Sequence, residues 1–135
     1  SKLFGPKGAS PFAKPSFFEI MLKMAVDKPE VSVVGEELSC FTYTPDLAAA
    51  TKRLWELEMP SGLYHLINEG PVTWLDGARL LFELKRMSVL IKPLRSENLL
   101  RAARRPKFSV LKNTKIKKMR PFQEALKEYL NSNNI

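Results

Sequence analysis

The chain has 135 residues, 44% of them hydrophobic and 27% charged, with a formal net charge of +8, which suits one soluble domain with a modest core. No apolar run approaches the roughly 18 residues a membrane span needs, and the start Ser1-Lys2-Leu3-Phe4-Gly5-Pro6 lacks the plan of a secretory signal. The lone Cys40 leaves no internal disulfide and no second cysteine for a metal, so a reducing, cytoplasmic setting is expected. The charge is divided: residues 1–70 carry 7 Lys/Arg and 9 Asp/Glu, and residues 71–135 carry 15 and 5. A basic field over 101–120 favours an anionic partner, whether a diphosphate, a nucleic acid or an acidic protein surface.

In chain order, residues 5–15 read as a Pro- and Gly-rich loop. Ser16 opens a helix with Glu19 as its capping-box partner and Phe17, Ile20, Met21 and Met24 on one face. Val31-Ser32-Val33-Val34 is a short β-branched strand closed by Gly35. Thr44-Pro45-Asp46 predicts a helix start, with Thr44 as N-cap, Pro at the first position and Asp46 facing the positive end of the dipole. That helix stops before Pro60, and Leu63–Asn68 then reads as a buried strand. Thr73 caps a further helix with Asp76 in the capping-box position and Trp74, Ala78, Leu81 and Phe82 as its stripe. Ser88–Ile91 is a strand with Pro93 after it, Ser96 begins a short helix carrying Leu99 and Leu100, and Arg105–Leu111 is extended. Pro121 starts a last helix with Phe122, Ala125, Leu126 and Tyr129 at helical spacing, fraying over 131–134. Alternating helices and strands give an α/β class. Trp55, Trp74 and the methionines fall on helical stripes and are expected in the core, as is His65, which has no second His to share a metal.

Several stretches carry a family likeness. Glu36-Glu37-Leu38-Ser39-Cys40-Phe41-Thr42-Tyr43-Thr44-Pro45-Asp46-Leu47-Ala48 resembles a signature worded as an acid and Gln, then Gly-x-Pro-Thr-Tyr, two spacers and Asp-Leu-Ala. Ser1–Gly5 is similar to Ser-Trp-(Val/Leu)-(Tyr/Phe)-Gly, and Gly62–Gly70 to Gly-Ile-Tyr-His-x-x-Asn-x-Gly. Thr73-Trp74 matches a Ser-Trp helix start, Ala103–Leu111 resembles Ala-x-Arg-Pro-x-Tyr-Ser-x-Leu, and Arg120–Leu126 resembles Trp-x-x-Ala-Leu. Together, in this order, they resemble the dTDP-4-dehydrorhamnose reductases, which are extended short-chain dehydrogenases. Lys2 departs from the family's Trp, Phe41 from its Pro, Ser39 from its Gly and Lys112 from its Asp.

The resemblance implies a single carboxy-terminal substrate-binding lobe over 1–135, with about five helices and short strands and with Leu63–Ile67 completing a Rossmann-type sheet. The amino-terminal NAD(P)-binding part is expected outside this chain. Gly5-Pro6-Lys7-Gly8 lacks a third Gly and a strand–helix frame, and no Tyr-x-x-x-Lys occurs, so no catalytic, cofactor-binding or metal residue is expected here. NADPH would serve the intact enzyme only, and the chain alone should be inactive. The implied substrate is a nucleotide-diphosphate sugar on the route to dTDP-rhamnose and surface polysaccharide. Further expected partners are the Rossmann part or a second copy covering apolar edges at Leu3–Phe4 and Leu63–Ile67.

The expected substrate-binding residues are Lys2, Thr42, Tyr43, Arg104 and Arg105. Thr42 and Tyr43 either line a sugar pocket or form a strand-to-helix junction with Tyr43 turned inward. Arg104 and Arg105, beside Pro106, either grip a diphosphate or form a solvated surface pair. Asp46 is explained by its helix start. The alternative to a reductase is a non-catalytic regulatory or binding subunit on the same fold. Nucleic acid is not expected, because only Phe108 and Phe122 flank the basic run over 112–118.

Overall fold

The computed structural model describes residues 2–132. Ser1, at the head of the first motif, and Asn133 and Asn134 of the expected fray lie outside the described residues. The element order is β1 (Lys2–Phe4), α1 (Phe17–Asp27), β2 (Glu30–Val34), β3 (Leu38–Ser39), β4 (Phe41–Tyr43), α2 (Thr44–Glu56), α3 (Trp74–Leu84), β5 (Leu90–Leu94), β6 (Phe108–Ser109) and α4 (Phe122–Ser132), with one 3₁₀ turn at Ser96–Asn98. Both capping boxes form: Ser16 Oγ accepts from the Glu19 N–H, Thr73 Oγ1 from the Asp76 N–H, and each acid reaches back to its cap.

The strands pair as three separate parallel ladders, β1 with β4, β2 with β5 and β3 with β6. Each ladder joins an early strand to a later one, which parallel pairing requires because the return must cross over. β1 and α1 meet β4 and α4 in a cluster of aromatic rings. Phe4 stands edge-on to Phe18 at 5.1 Å, to Phe122 at 5.8 Å and to Tyr129 at 5.6 Å, while Phe41 stacks on Phe122 at 5.0 Å. Edge-to-face and offset contacts at such distances suit the ring quadrupole. Phe18, Phe41, Phe122, Leu81, Leu126 and Tyr129 are fully buried. Gly77 on α3 allows the Phe41 ring to lie against the helix backbone, since a Cβ there would stand 2.9 Å from it.

Six local expectations are corrected. Leu63–Asn68 forms no strand: it runs past the core without a ladder partner among the described residues, leaves Leu63 exposed and buries Ile67 and Asn68. His65 accordingly is half-exposed, its Nδ1 3.2 Å from the Lys112 carbonyl. Thr44 is not the N-cap of α2; Tyr43 holds that position without a side-chain cap. Trp55 is 86% exposed, because α2 fully buries none of its residues. β5 begins two residues later than expected and takes in Pro93. Beyond the 3₁₀ turn the chain leaves helical geometry, and Leu99 and Leu100 are exposed.

Of the expected apolar edges, Leu3 and Leu63 are exposed, whereas Phe4 and Ile67 are buried. No helix among the described residues is long and apolar enough to cross a membrane.

Candidate substrate cleft

A polar network centres on Glu37, which is 6% exposed. Its carboxylate accepts from Ser96 Oγ at 2.5 Å, Arg101 Nη1 at 2.5 Å and Trp74 Nε1 at 3.0 Å. Burial pushes the Glu37 carboxyl upward, but these three donors outweigh it and hold the group below its ordinary range. The neighbouring Glu36 is also lowered, first by the Ser96 N–H, which it accepts at 3.0 Å. Two consecutive acids thus tie down the segment that carries the basic residues over 95–107. Lys107 completes the tether with an ion pair to Glu36.

Lys2 reaches the same place from β1. Its ammonium donates to the carbonyls of Glu37 at 2.9 Å and Val72 at 3.3 Å. It lies 4.3 Å from the centre of the Trp74 ring and 4.9 Å from that of Phe41, a cation–π seat. Burial lowers its pKa from 10.5 to about 8, with Glu37 and Asp76 pulling the other way. Lysine thus occupies the indole face with charge.

A cleft of about 600 Å³ opens between these elements, lined by Lys2, Leu3, Glu37, Ser39, Trp74, Arg101, Arg105, Pro106 and Ser109. Three cations face one carboxylate, which leaves the cleft an excess of two positive charges. A hollow of about 350 Å³ lies beside it, and Arg101 and Arg105 line both; Arg104 lines the second. Of the five expected binding residues the structure therefore brings Lys2 and Arg105 together on one cleft, with Arg104 next door.

Thr42 and Tyr43 lie elsewhere, in the core. The Tyr43 ring sits 5.3 Å from Phe4 with the Arg120 guanidinium 5.7 Å above it, and burial first, then Glu128, pushes its phenol upward. This is the junction geometry, with Tyr43 turned inward. The junction has its own lock. Arg120 grips Asp46 through Nε at 2.8 Å and Nη2 at 2.7 Å, and also meets Glu128.

Sequence reasoning missed Glu37, Arg101 and Ser39 as cleft residues and placed Trp74 only in the core. The adjacent acids Glu36-Glu37 facing a distant basic segment were the available signal.

The unit β1–α1 does not fit a dinucleotide. The Ser16 hydroxyl and Glu19 carboxylate close the start of α1, so a negative group already fills the place a pyrophosphate would take. Among the described residues no group of three or more His, Cys, Asp or Glu side chains could hold a metal ion.

Comparison with known proteins agrees with the motif order. Residues 3–135 match the family described as RmlD substrate binding domain. The chain is 36% identical over 119 residues to the spore coat polysaccharide biosynthesis protein SpsK of Bacillus subtilis, covering 85% of this chain and 41% of that protein. It is 32% identical over 108 residues to a dTDP-4-dehydrorhamnose reductase of Streptomyces griseus, covering 76% and 36%.

Among solved structures, a Clostridium acetobutylicum dTDP-4-dehydrorhamnose reductase superposes with a TM-score of 0.88 at 28% identity, covering 100% of this chain and 47% of that one. A Bacillus anthracis dTDP-4-dehydrorhamnose reductase in complex with NADP gives a TM-score of 0.85 at 26% identity, covering 98% and 46%. The chain spans about two fifths of the length of these curated relatives.

Proposed function

Because this chain belongs to the RmlD substrate binding domain family, we propose that it is the substrate-binding part of an NADPH-dependent dTDP-4-dehydrorhamnose reductase or a related nucleotide-sugar reductase. Such an enzyme would act in the cytoplasm on precursors of surface polysaccharide. In this reading a separate cofactor-binding part supplies NADPH and the catalytic Tyr and Lys, and it covers the exposed Leu3 and Leu63. The present chain holds the nucleotide diphosphate sugar.

The observation that carries the reading is the cleft. Lys2 and Arg105 come from distant parts of the chain and line one opening with Arg101. A diphosphate needs several cations at fixed spacing, and Arg offers it a planar fork of donors. Glu37 supports this use by holding Arg101 in place at 2.5 Å.

The test is Arg105→Ala in the full-length protein. A charge-assisted hydrogen bond is worth roughly 1.5–3 kcal/mol, so nucleotide-sugar affinity should fall roughly ten- to a hundredfold while NADPH affinity stays put. Unchanged sugar-nucleotide binding, or equal weakening of both ligands, would refute the assignment. Turnover of dTDP-4-dehydrorhamnose with NADPH separates this reading from a non-catalytic subunit on the same fold.

A further inference from the structure

Resting on the reading of the cleft as the nucleotide-sugar site, we infer that the Ser39 hydroxyl contacts a hydroxyl of the ligand's sugar ring. Ser39 is 4% exposed, and among the described residues its Oγ is the one buried side-chain oxygen or nitrogen without a hydrogen-bond partner. Its backbone is committed: the N–H donates to the Val72 carbonyl at 3.3 Å and the carbonyl accepts from the Val72 N–H at 3.0 Å. Leaving a buried hydroxyl unpaired costs free energy that alanine at the same place would not incur. Stability therefore gives no reason for a hydroxyl here, whereas a ligand in the cleft that Ser39 lines does, met by rotation of the side chain, because the Oγ itself is closed to solvent as it stands.

The chemistry of the neighbours selects the part of the ligand. Lys2, Arg101 and Arg105 offer donors only, which match phosphate oxygens. A serine hydroxyl both donates and accepts, and its natural complement is a group that does both, such as a sugar hydroxyl. Ser39 pairs in register with Ser109, which lines the cleft as well. Ser109 Oγ reaches the Leu38 carbonyl only at 3.5 Å, a long bond readily exchanged for a better one. The two serines thus stand at one level of the ladder, on the cleft that Arg101 and Arg105 also line. Stacking is not offered in competition. The Trp74 ring is met by the Lys2 ammonium, by Phe17 at 4.7 Å and by Phe41 at 5.2 Å.

The experiment titrates full-length protein with dTDP-rhamnose and with dTDP, comparing wild type, Ser39→Ala and Arg105→Ala, and records the thermal midpoint of each. Loss of one neutral hydrogen bond should weaken dTDP-rhamnose binding to Ser39→Ala by about three- to tenfold. Binding of dTDP should be unchanged, and the midpoint unchanged or higher. Ser39→Gly, which also lacks the hydroxyl, should repeat the ligand pattern. Unchanged dTDP-rhamnose affinity, equal weakening of both ligands, or a lowered midpoint in Ser39→Ala would overturn the inference. If Arg105→Ala weakens both ligands while Ser39→Ala weakens neither, the inference about Ser39 falls alone. If neither variant changes either ligand, the reading of the cleft falls with it.

Discussion

Replacing Asn68 with alanine should be among the most damaging single changes outside the aromatic cluster. Asn68 is fully buried. Its Oδ1 accepts from the Tyr43 N–H at 2.8 Å, and its Nδ2 donates to Asp46 Oδ2 at 2.7 Å and to the Arg120 carbonyl at 3.1 Å. One amide thus joins the end of β4, the first turn of α2 and the approach to α4. Asn68→Ala leaves the Tyr43 N–H without its acceptor, at roughly 1–3 kcal/mol, and removes a bond to a charged group, roughly 1.5–3 kcal/mol. With the small void added, the loss should be about 3–5 kcal/mol, a large share of a typical total stability of roughly 5–15 kcal/mol.

Urea unfolding followed by circular dichroism would show the midpoint falling without a change in slope. A double-mutant cycle with Asp46→Ala should return a coupling of at least about 0.5 kcal/mol. A loss below about 1 kcal/mol for Asn68→Ala, or no coupling to Asp46, would refute the view that this amide ties the three elements together.

Two further outcomes follow from close contacts. Gly77→Ala should destabilise by about 1–3 kcal/mol, because the new Cβ meets the fully buried Phe41 ring at 2.9 Å and overpacking outweighs the roughly 1 kcal/mol of helix propensity gained; a rise in the urea midpoint would show that the ring simply moves aside. For Lys2, burial depresses the folded-state pKa to about 8 against 10.5 in the unfolded chain, so between these values the unfolded state binds more protons and stability climbs with pH. Lys2→Met should lack that climb, seen by comparing urea midpoints of the two proteins below pH 8 and near 10.5; parallel profiles would contradict it.

How far the residues alone disclosed this arrangement depended on how local each cause is. The starts of α1 and α3 were readable because a capping box is complete within four residues, and the apolar face of α4 because Phe122, Ala125, Leu126 and Tyr129 repeat at helical spacing. Leu63–Asn68 misled because an apolar run reports a wish to be covered, not the presence of a neighbouring strand. Asn68 side-chain bonds hold that segment in place of a ladder. The stripe of α2 misplaced Trp55 for the same reason. Pro93 sits inside β5 because a two-stranded ladder leaves an open edge, where a missing N–H costs nothing.

In the cleft, Lys2 and Arg105 were among the expected substrate-binding residues, through family likeness and charge, and the structure places both on the lining. Glu37 was not: the adjacent acids Glu36-Glu37 and the basic segment beyond residue 95 are both visible in the sequence, but nothing local shows that the two meet, as Glu37 does with Ser96, Arg101 and Trp74.

The three parallel ladders also set an order in time. As the chain leaves a ribosome, β1 can find β4 once residue 43 has emerged, but β2 must wait for β5 at residues 90–94 and β3 for β6 at 108–109. The rings of Phe4, Phe18 and Phe41 gain Phe122 and Tyr129 only when α4 has been made. Contacts so distant along the chain close slowly, because the loop entropy is lost before the contact returns anything. Until α4 has emerged the early aromatic rings therefore lack these partners, and a nascent chain halted before residue 122 should be the species that chaperones bind and that aggregates.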